Sequence, residues 1–186
     1  MGTLSYGMNI SLDGYINDSA GGIDWTDPDP DQHQYWNDFT ATLALSLYGR
    51  TLWDLMAAYW PTADQDPDAD PVTVDFARRW RAVPKVVFSR GPLEVSGNAR
   101  VERGDVVEVT RRLKAETDGQ LEVGGATIAA PLLAAGLVDE LRMVVLPILL
   151  GGGTPVYPAL TDQQRFELVE TRQFRNGAVL MHYLRR

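Results

Sequence analysis

The chain has 186 residues, 45% hydrophobic and 23% charged, a balance that fits one domain burying one continuous core. With no cysteine it has no disulfide, zinc–thiolate centre or cysteine nucleophile, and a net charge of −8 leaves no basic footprint for nucleic acid. The opening residues lack the basic and apolar blocks of a signal peptide. No window approaches the roughly 18 apolar residues of a membrane span, so a cytoplasmic location without membrane contact is expected.

Leu4 to Leu12 alternate loosely and stop at Asp13-Gly14, which predicts a strand and a tight turn. Asp27 to Asp31 and Asp64 to Asp70 are acidic and proline-rich, and read as solvated loops; they lack the glycine and closing Glu of a calcium loop, so no metal site is expected. Tyr35, Trp36, Phe39 and Leu43 recur at helical spacing and predict a helix over Gln32 to Leu45. A short strand, Ala44 to Tyr48, and a helix, Thr51 to Tyr59, should follow around Gly49-Arg50. Val72 to Arg81 reads as another helix, Lys85 to Phe88 as a buried strand, Val101 as part of the next, and Asp105 to Glu116 as a helix.

Leu121 to Val123 is a predicted strand that ends at Gly124-Gly125. An apolar helix, Thr127 to Ala135, should close at Gly136, with Pro131 in its first turns, tolerable only if the helix starts near Thr127. The run Leu141 to Leu150 is interrupted by Pro147. Phe166 to Phe174 and Ala178 to Leu184 flank Asn176-Gly177, a strong hairpin signal. Strands alternating with helices imply a mainly parallel sheet covered on both faces, with the terminal hairpin antiparallel.

Four strand ends carry groups suited to phosphate. Gly124-Gly125 precedes a helix whose first N–H groups and dipole favour an anion, although a tight turn explains the pair equally well. Gly49-Arg50-Thr51 adds a cation, and Ser89-Arg90 lies on the same edge. Gly151 to Gly153 is followed by Pro155 and Pro158, which argue for a loop. The full glycine fingerprint of a Rossmann domain is absent.

Taken together, several segments resemble the dihydrofolate reductase family, in particular the C-terminal reductase domain of bacterial riboflavin biosynthesis deaminase-reductases. They are Ser11-Leu-Asp-Gly-Tyr-Ile16, Tyr48-Gly-Arg-Thr-Leu-Trp-Asp54, Pro84-Lys-Val-Val-Phe-Ser-Arg90, Val123-Gly-Gly, Leu132 to Leu141, Pro147 to Gly153, and the closing hairpin. The resemblance spans nearly the whole chain. It implies a single domain, residues 1–186, with an α/β/α dihydrofolate reductase-like fold and an eight-stranded, mostly parallel sheet. It also implies NADPH across the carboxyl edge. Gly49, Arg50 and Thr51 would face the pyrophosphate and 2′-phosphate, with Ser89 and Arg90 at the adenosine end. Gly124, Gly125, Ala126, Thr127 and Ile128 would offer backbone amides, and Met8, Asn9, Tyr15 and Ile16 would lie near the nicotinamide.

Leu52 stands where the family usually has Thr, and Asp31 and Asp38 are the candidates for the family's substrate acid on the first helix, neither aligning cleanly with it. Asp13 and His33 are the candidate proton donors, which with Asp31 make up the candidate catalytic residues, although Asp13 also suits its own turn and His33 a solvated position. Trp25, Tyr35 and Trp36 are candidates for stacking on a planar substrate, with the helix core as the alternative for the last two. Three functions stay open: an NADPH-dependent reductase of a small planar heterocycle or related carbonyl compound, a riboflavin-pathway ribosylamino-pyrimidine reductase, and a non-catalytic nicotinamide-nucleotide sensor. A homodimer is expected from family habit and from the apolar hairpin edge.

Overall fold

The computed structural model describes residues 1–157 and 159–186; of the two prolines read as excluding a helix after Gly153, Pro158 lies outside the described residues. Eight strands form one sheet in the order β4-β3-β2-β5-β1-β6-β8-β7. They are β1 (Thr3–Ser11), β2 (Leu43–Gly49), β3 (Lys85–Phe88), β4 (Ala99–Glu102), β5 (Gln120–Gly124), β6 (Glu140–Leu146), β7 (Phe166–Gln173) and β8 (Val179–Arg185). β1 to β6 pair in parallel, and β8 runs antiparallel between β6 and β7. The helices are α1 (Pro30–Ala41), α2 (Arg50–Tyr59), α3 (Pro71–Ala82), α4 (Val106–Glu116) and α5 (Ala126–Ala134). This is the three-layer α/β arrangement expected from the alternation and the resemblance. No helix is long and apolar enough to cross a membrane among the described residues.

The two faces of the sheet differ. Leu4 and Tyr6 of β1, Leu121 and Val123 of β5, and Met143 of β6 point with Leu45, Leu47 and Val86 into the main core. There they meet Val109 and Leu113 of α4 and Ile128 and Leu132 of α5. Strand side chains alternate between faces, so the intervening residues face the other layer. In β1 these are Ser5, Gly7 and Asn9, beside Glu122 of β5 and Ser46 of β2. Helices α1, α2 and α3 cover this side, and their aromatic residues supply most of its apolar packing.

Three boundaries depart from the sequence reading. The first helix ends at Ala41, because Thr42 caps it with its hydroxyl on the Phe39 carbonyl (2.7 Å). Leu43 belongs to β2, where a register shift before Leu45 turns it toward Phe39 and Val83 instead of the main core. α5 starts at Ala126, one residue before the expected Thr127, so Pro131 falls within its first two turns.

The acidic loops are more than solvated connections. Asp29, Asp70 and Asp105 cap α1, α3 and α4 through first-turn N–H groups, and Asp64 receives both arms of Arg81 at 2.8 and 2.6 Å. At the terminal hairpin only Gly177 adopts positive φ (+86°), and its N–H donates to Phe174 at 3.1 Å. Arg175-Asn176 thus forms the turn, with glycine after it. Asn176 donates through its amide to Gln32 (2.7 Å), fastening the hairpin to α1.

Leu132 is fully buried, whereas Leu149 is 70% exposed. Leu132→Ala should cost about 2–5 kcal/mol in urea denaturation, and Leu149→Ala under about 0.5 kcal/mol. Similar losses at the two positions would contradict this assignment of the core.

Candidate functional site

The carboxyl ends of β4, β3, β2 and β5 open into a groove of about 800 Å³, the edge where open α/β sheets bind ligands. Gly49 to Leu52, Phe88 to Gly91, Glu102 to Val106 and the start of α5 line it. α2 and α5, unlike α1, α3 and α4, carry no side-chain cap and begin after Gly49 and Gly125. Their first-turn N–H groups therefore remain available to an anion on the groove side. Gly125 has φ +95°, strained for other residues, and a Cβ on Gly49 would sit 3.1 Å from Ile128.

Arg50, Arg90 and Arg103 bring positive charge to this groove. Arg50 is half exposed, held by Asp54 (3.4 Å) and the Pro92 carbonyl (3.0 Å). Arg90 and Arg103 form no ion pair among the described residues, and Ser89 donates to the Gly91 carbonyl at 3.1 Å. Of the residues expected to hold a cofactor, Gly49, Arg50, Thr51, Ser89, Arg90, Gly125, Thr127 and Ile128 share the groove. Ala126 is buried in the first turn of α5. Arg103 went unnoticed in the sequence, although it follows a strand end just as Ser89-Arg90 does.

A second cavity, of about 610 Å³, lies between the sheet and α1, α2 and α3. Leu52 lines both spaces, and Gly124 and Gly125 open one to each side. A Cβ on Gly124 would lie 2.6 Å from Leu52 Cδ2. Met8, Asn9 and Ile16 line this cavity, together with Trp36, Tyr48, Trp60, Phe76 and Trp80. Asn9 accepts hydrogen bonds from Trp36 Nε1 (3.0 Å) and Gln32 Nε2 (3.3 Å), which fixes the indole.

Glu122 stands on the cavity floor. It is partly buried and makes no hydrogen bond to another described residue. Gly7 leaves it room, since a Cβ there would be 3.2 Å from Glu122 Oε1 and 3.1 Å from the Trp36 ring. Burial raises its carboxyl from 4.5 to about 7, opposed by the charge of Arg142. Sequence reasoning missed it; the available signal was a carboxylate between Leu121 and Val123 in an otherwise buried strand.

Other expected residues lie elsewhere. Asp13 is exposed, accepts from Ser11 Oγ (2.6 Å) and from the N–H groups of Leu150 (3.1 Å) and Gly151 (2.7 Å), and titrates below the ordinary carboxylate range mainly because of Ser11. Asp31 pairs with Arg172 at 2.7 Å. Neither lines either cavity, and both are engaged outside them. His33 does line the aromatic cavity, against Trp60 and Phe76, and burial lowers its pKa. Tyr35 points toward Phe174 and receives Arg142 at 3.1 Å, while Trp25 donates to Gly22 at 3.2 Å. Neither they nor Tyr15, whose backbone bridges to Pro155, line the cavities. Trp36 is the one stacking candidate that does.

The RibD C-terminal domain model matches residues 3–180. The uncharacterized protein YyaP of Bacillus subtilis (strain 168) is 32% identical over 180 residues, spanning 95% of this chain and 91% of that protein. A putative riboflavin biosynthesis protein from Shewanella sp. PV-4 superimposes on 100% of this chain and 99% of its own, with a TM-score of 0.78 and 24% identity. For dihydrofolate reductase from Enterococcus faecalis complexed with NADP(H), the values are 99%, 96%, 0.66 and 16%. Both solved structures share the fold.

A carboxyl raised in the folded state stabilises the protein fully below its unfolded pKa, and that stability is lost as pH rises through the folded value. Relative to Glu122→Gln, the protein should therefore lose about 3 kcal/mol as pH rises from about 4.5 to about 7, and little more above that, from the upward shift to about 7. Denaturant unfolding of both proteins across that range provides the check; parallel pH profiles would show that Glu122 titrates normally.

Proposed function

Because the chain belongs to the RibD C-terminal domain family, we propose that it is an NADPH-dependent reductase of a small planar heterocycle or related carbonyl compound. The observation that carries this reading is the joining at Leu52 of a cationic groove, with two uncapped helix starts, to an aromatic cavity. The groove's glycines and free N–H groups fit a pyrophosphate, and its arginines fit the 2′-phosphate that separates NADPH from NADH. When bound, NADPH supplies the hydride.

The chain's own part is positional. The starts of α2 and α5 hold the pyrophosphate, and Arg50, Arg90 and Arg103 neutralise phosphate charge. Met8, Asn9 and Ile16 form the wall where the nicotinamide meets the cavity. Trp36, Tyr48, Trp60 and Phe76 present apolar faces to a flat substrate and exclude water from it. Few catalytic side chains are needed, because hydride transfer is the cofactor's chemistry.

Calorimetry with NADPH and NADH provides the test. NADPH should bind in the micromolar range and more tightly than NADH, and Arg50→Ala should weaken NADPH by about 1.5–3 kcal/mol, as loss of a charge-assisted contact does. Absence of saturable binding by either nucleotide would sink the reading.

We further propose a homodimer joined through β7. This edge strand is exposed along nearly its whole length and shows Leu168 and Val169 to solvent, 50% and 47% exposed. Light scattering should give twice the mass of the chain, and Val169→Lys should reduce it toward the monomer. A monomeric mass for the unaltered protein at working concentration would contradict the proposal.

A further inference from the structure

The groove and the cavity carry opposite charge. The groove holds Arg50, Arg90 and Arg103 against two acids, Glu102, which pairs with Arg112 at 3.0 Å, and Asp105, which caps α4, so its lining keeps a positive excess. Among the described residues the cavity lining contains neither lysine nor arginine, and its charged or basic members are His33, Asp70 and Glu122. Burial favours the neutral form of His33. The Asp70 carboxylate is occupied by the N–H groups of Val72 and Thr73, each at 2.9 Å, and by the Thr73 hydroxyl at 2.8 Å.

Glu122 is the acid left over, with no hydrogen-bond partner among the described residues. Arg142 acts on it through space, but its guanidinium is directed to Glu140 (3.1 Å), to Tyr35 (3.1 Å) and over the Phe39 ring, and it does not line the cavity. A phosphate placed here would meet carboxylates with no cation in the lining to bond it, Arg142 being turned away. An N–H donor would meet a carboxylate with free lone pairs, between aromatic faces that accept a flat ring.

We propose that this cavity selects an unphosphorylated planar ligand with an N–H-bearing edge, an amidine or a protonated ring nitrogen, and that Glu122 is the residue that receives that edge. As a substrate assignment this rests on the reductase reading; as a binding site it does not. It separates the chain from reductases whose substrates carry a phosphoribosyl group. Glu122 determines specificity here, and Gly7 is the position that lets its carboxylate stand beside Trp36.

The test uses three flat probes of similar size: benzamidine, neutral benzamide and phenyl phosphate. Calorimetry on the intact protein should show benzamidine binding about ten- to a hundredfold more tightly than benzamide, the range of a charge-assisted hydrogen bond. Glu122→Gln should remove most of that preference and leave benzamide unchanged. Phenyl phosphate should not displace benzamidine, with the groove saturated by NADP or not. The proposal is overturned if benzamidine does not bind, if Glu122→Gln binds it as the unaltered protein does, or if phenyl phosphate displaces it. NADP titrated separately keeps the two ideas apart. Benzamidine behaving as expected without NADP binding would leave the Glu122 site standing and remove the reductase reading; the reverse would remove only the Glu122 site.

Discussion

Burial of one face of the central strands is the constraint on which the remaining architecture depends. Leu4, Tyr6, Leu47, Leu121, Val123 and Met143 all point at α4 and α5 and are essentially inaccessible. A fully buried side chain of this size contributes on the order of 1.5–3 kcal/mol, so the register of β2, β5, β1 and β6 cannot slip by one residue without exposing the whole set. That fixed register settles what the opposite face presents. Ser5, Gly7, Asn9, Ser46 and Glu122 face α1 to α3 because their neighbours cannot.

The opposite face is therefore incompletely filled by its own strands. Small and polar residues there leave a space that the helices wall with aromatic rings but do not occupy. Trp36 is held by Asn9, and Trp80 donates to the Tyr48 hydroxyl at 3.2 Å. Fixed rings around an open volume make a binding cavity, where a well-packed core would have closed over it. The floor carboxyl is costly to ionise in that setting, and its raised pKa expresses the cost.

The groove follows from the parallel arrangement. Parallel pairing brings the carboxyl ends of β4, β3, β2 and β5 to one edge, so residues far apart in sequence, from Gly49 to Gly125, share a surface. An aspartate caps α1, α3 and α4, the last of these at the groove itself. Where α2 and α5 start at the edge, glycine replaces the cap and the N–H groups stay free. In a chain of net charge −8, three arginines beside two acids leave a small positive excess along the groove.

The alternation of strands and helices, the parallel sheet, the terminal hairpin and the glycine- and arginine-bearing strand ends were legible in the sequence, because each is a local signal: a period, a turn residue, a glycine before a helix. The end of α1 was misplaced because Leu43 continues the helical spacing, and only the Thr42 cap and the irregularity in β2 turn it elsewhere. Tyr35 and Trp36 are adjacent in sequence, yet one enters the core beside Phe174 and the other the cavity, a choice made by packing against β6 and β8. Asp13 as a proton donor and Asp31 as a substrate carboxylate had suitable chemistry, but long-range partners at Gly151 and Arg172 engage them. Only three dimensions show what Glu122 and Arg103 face, the cavity and the groove. A carboxylate inside a strand acquires a raised pKa and an open space above it from residues on other elements, Gly7, Tyr48 and Trp36 among them, and no local pattern records that meeting.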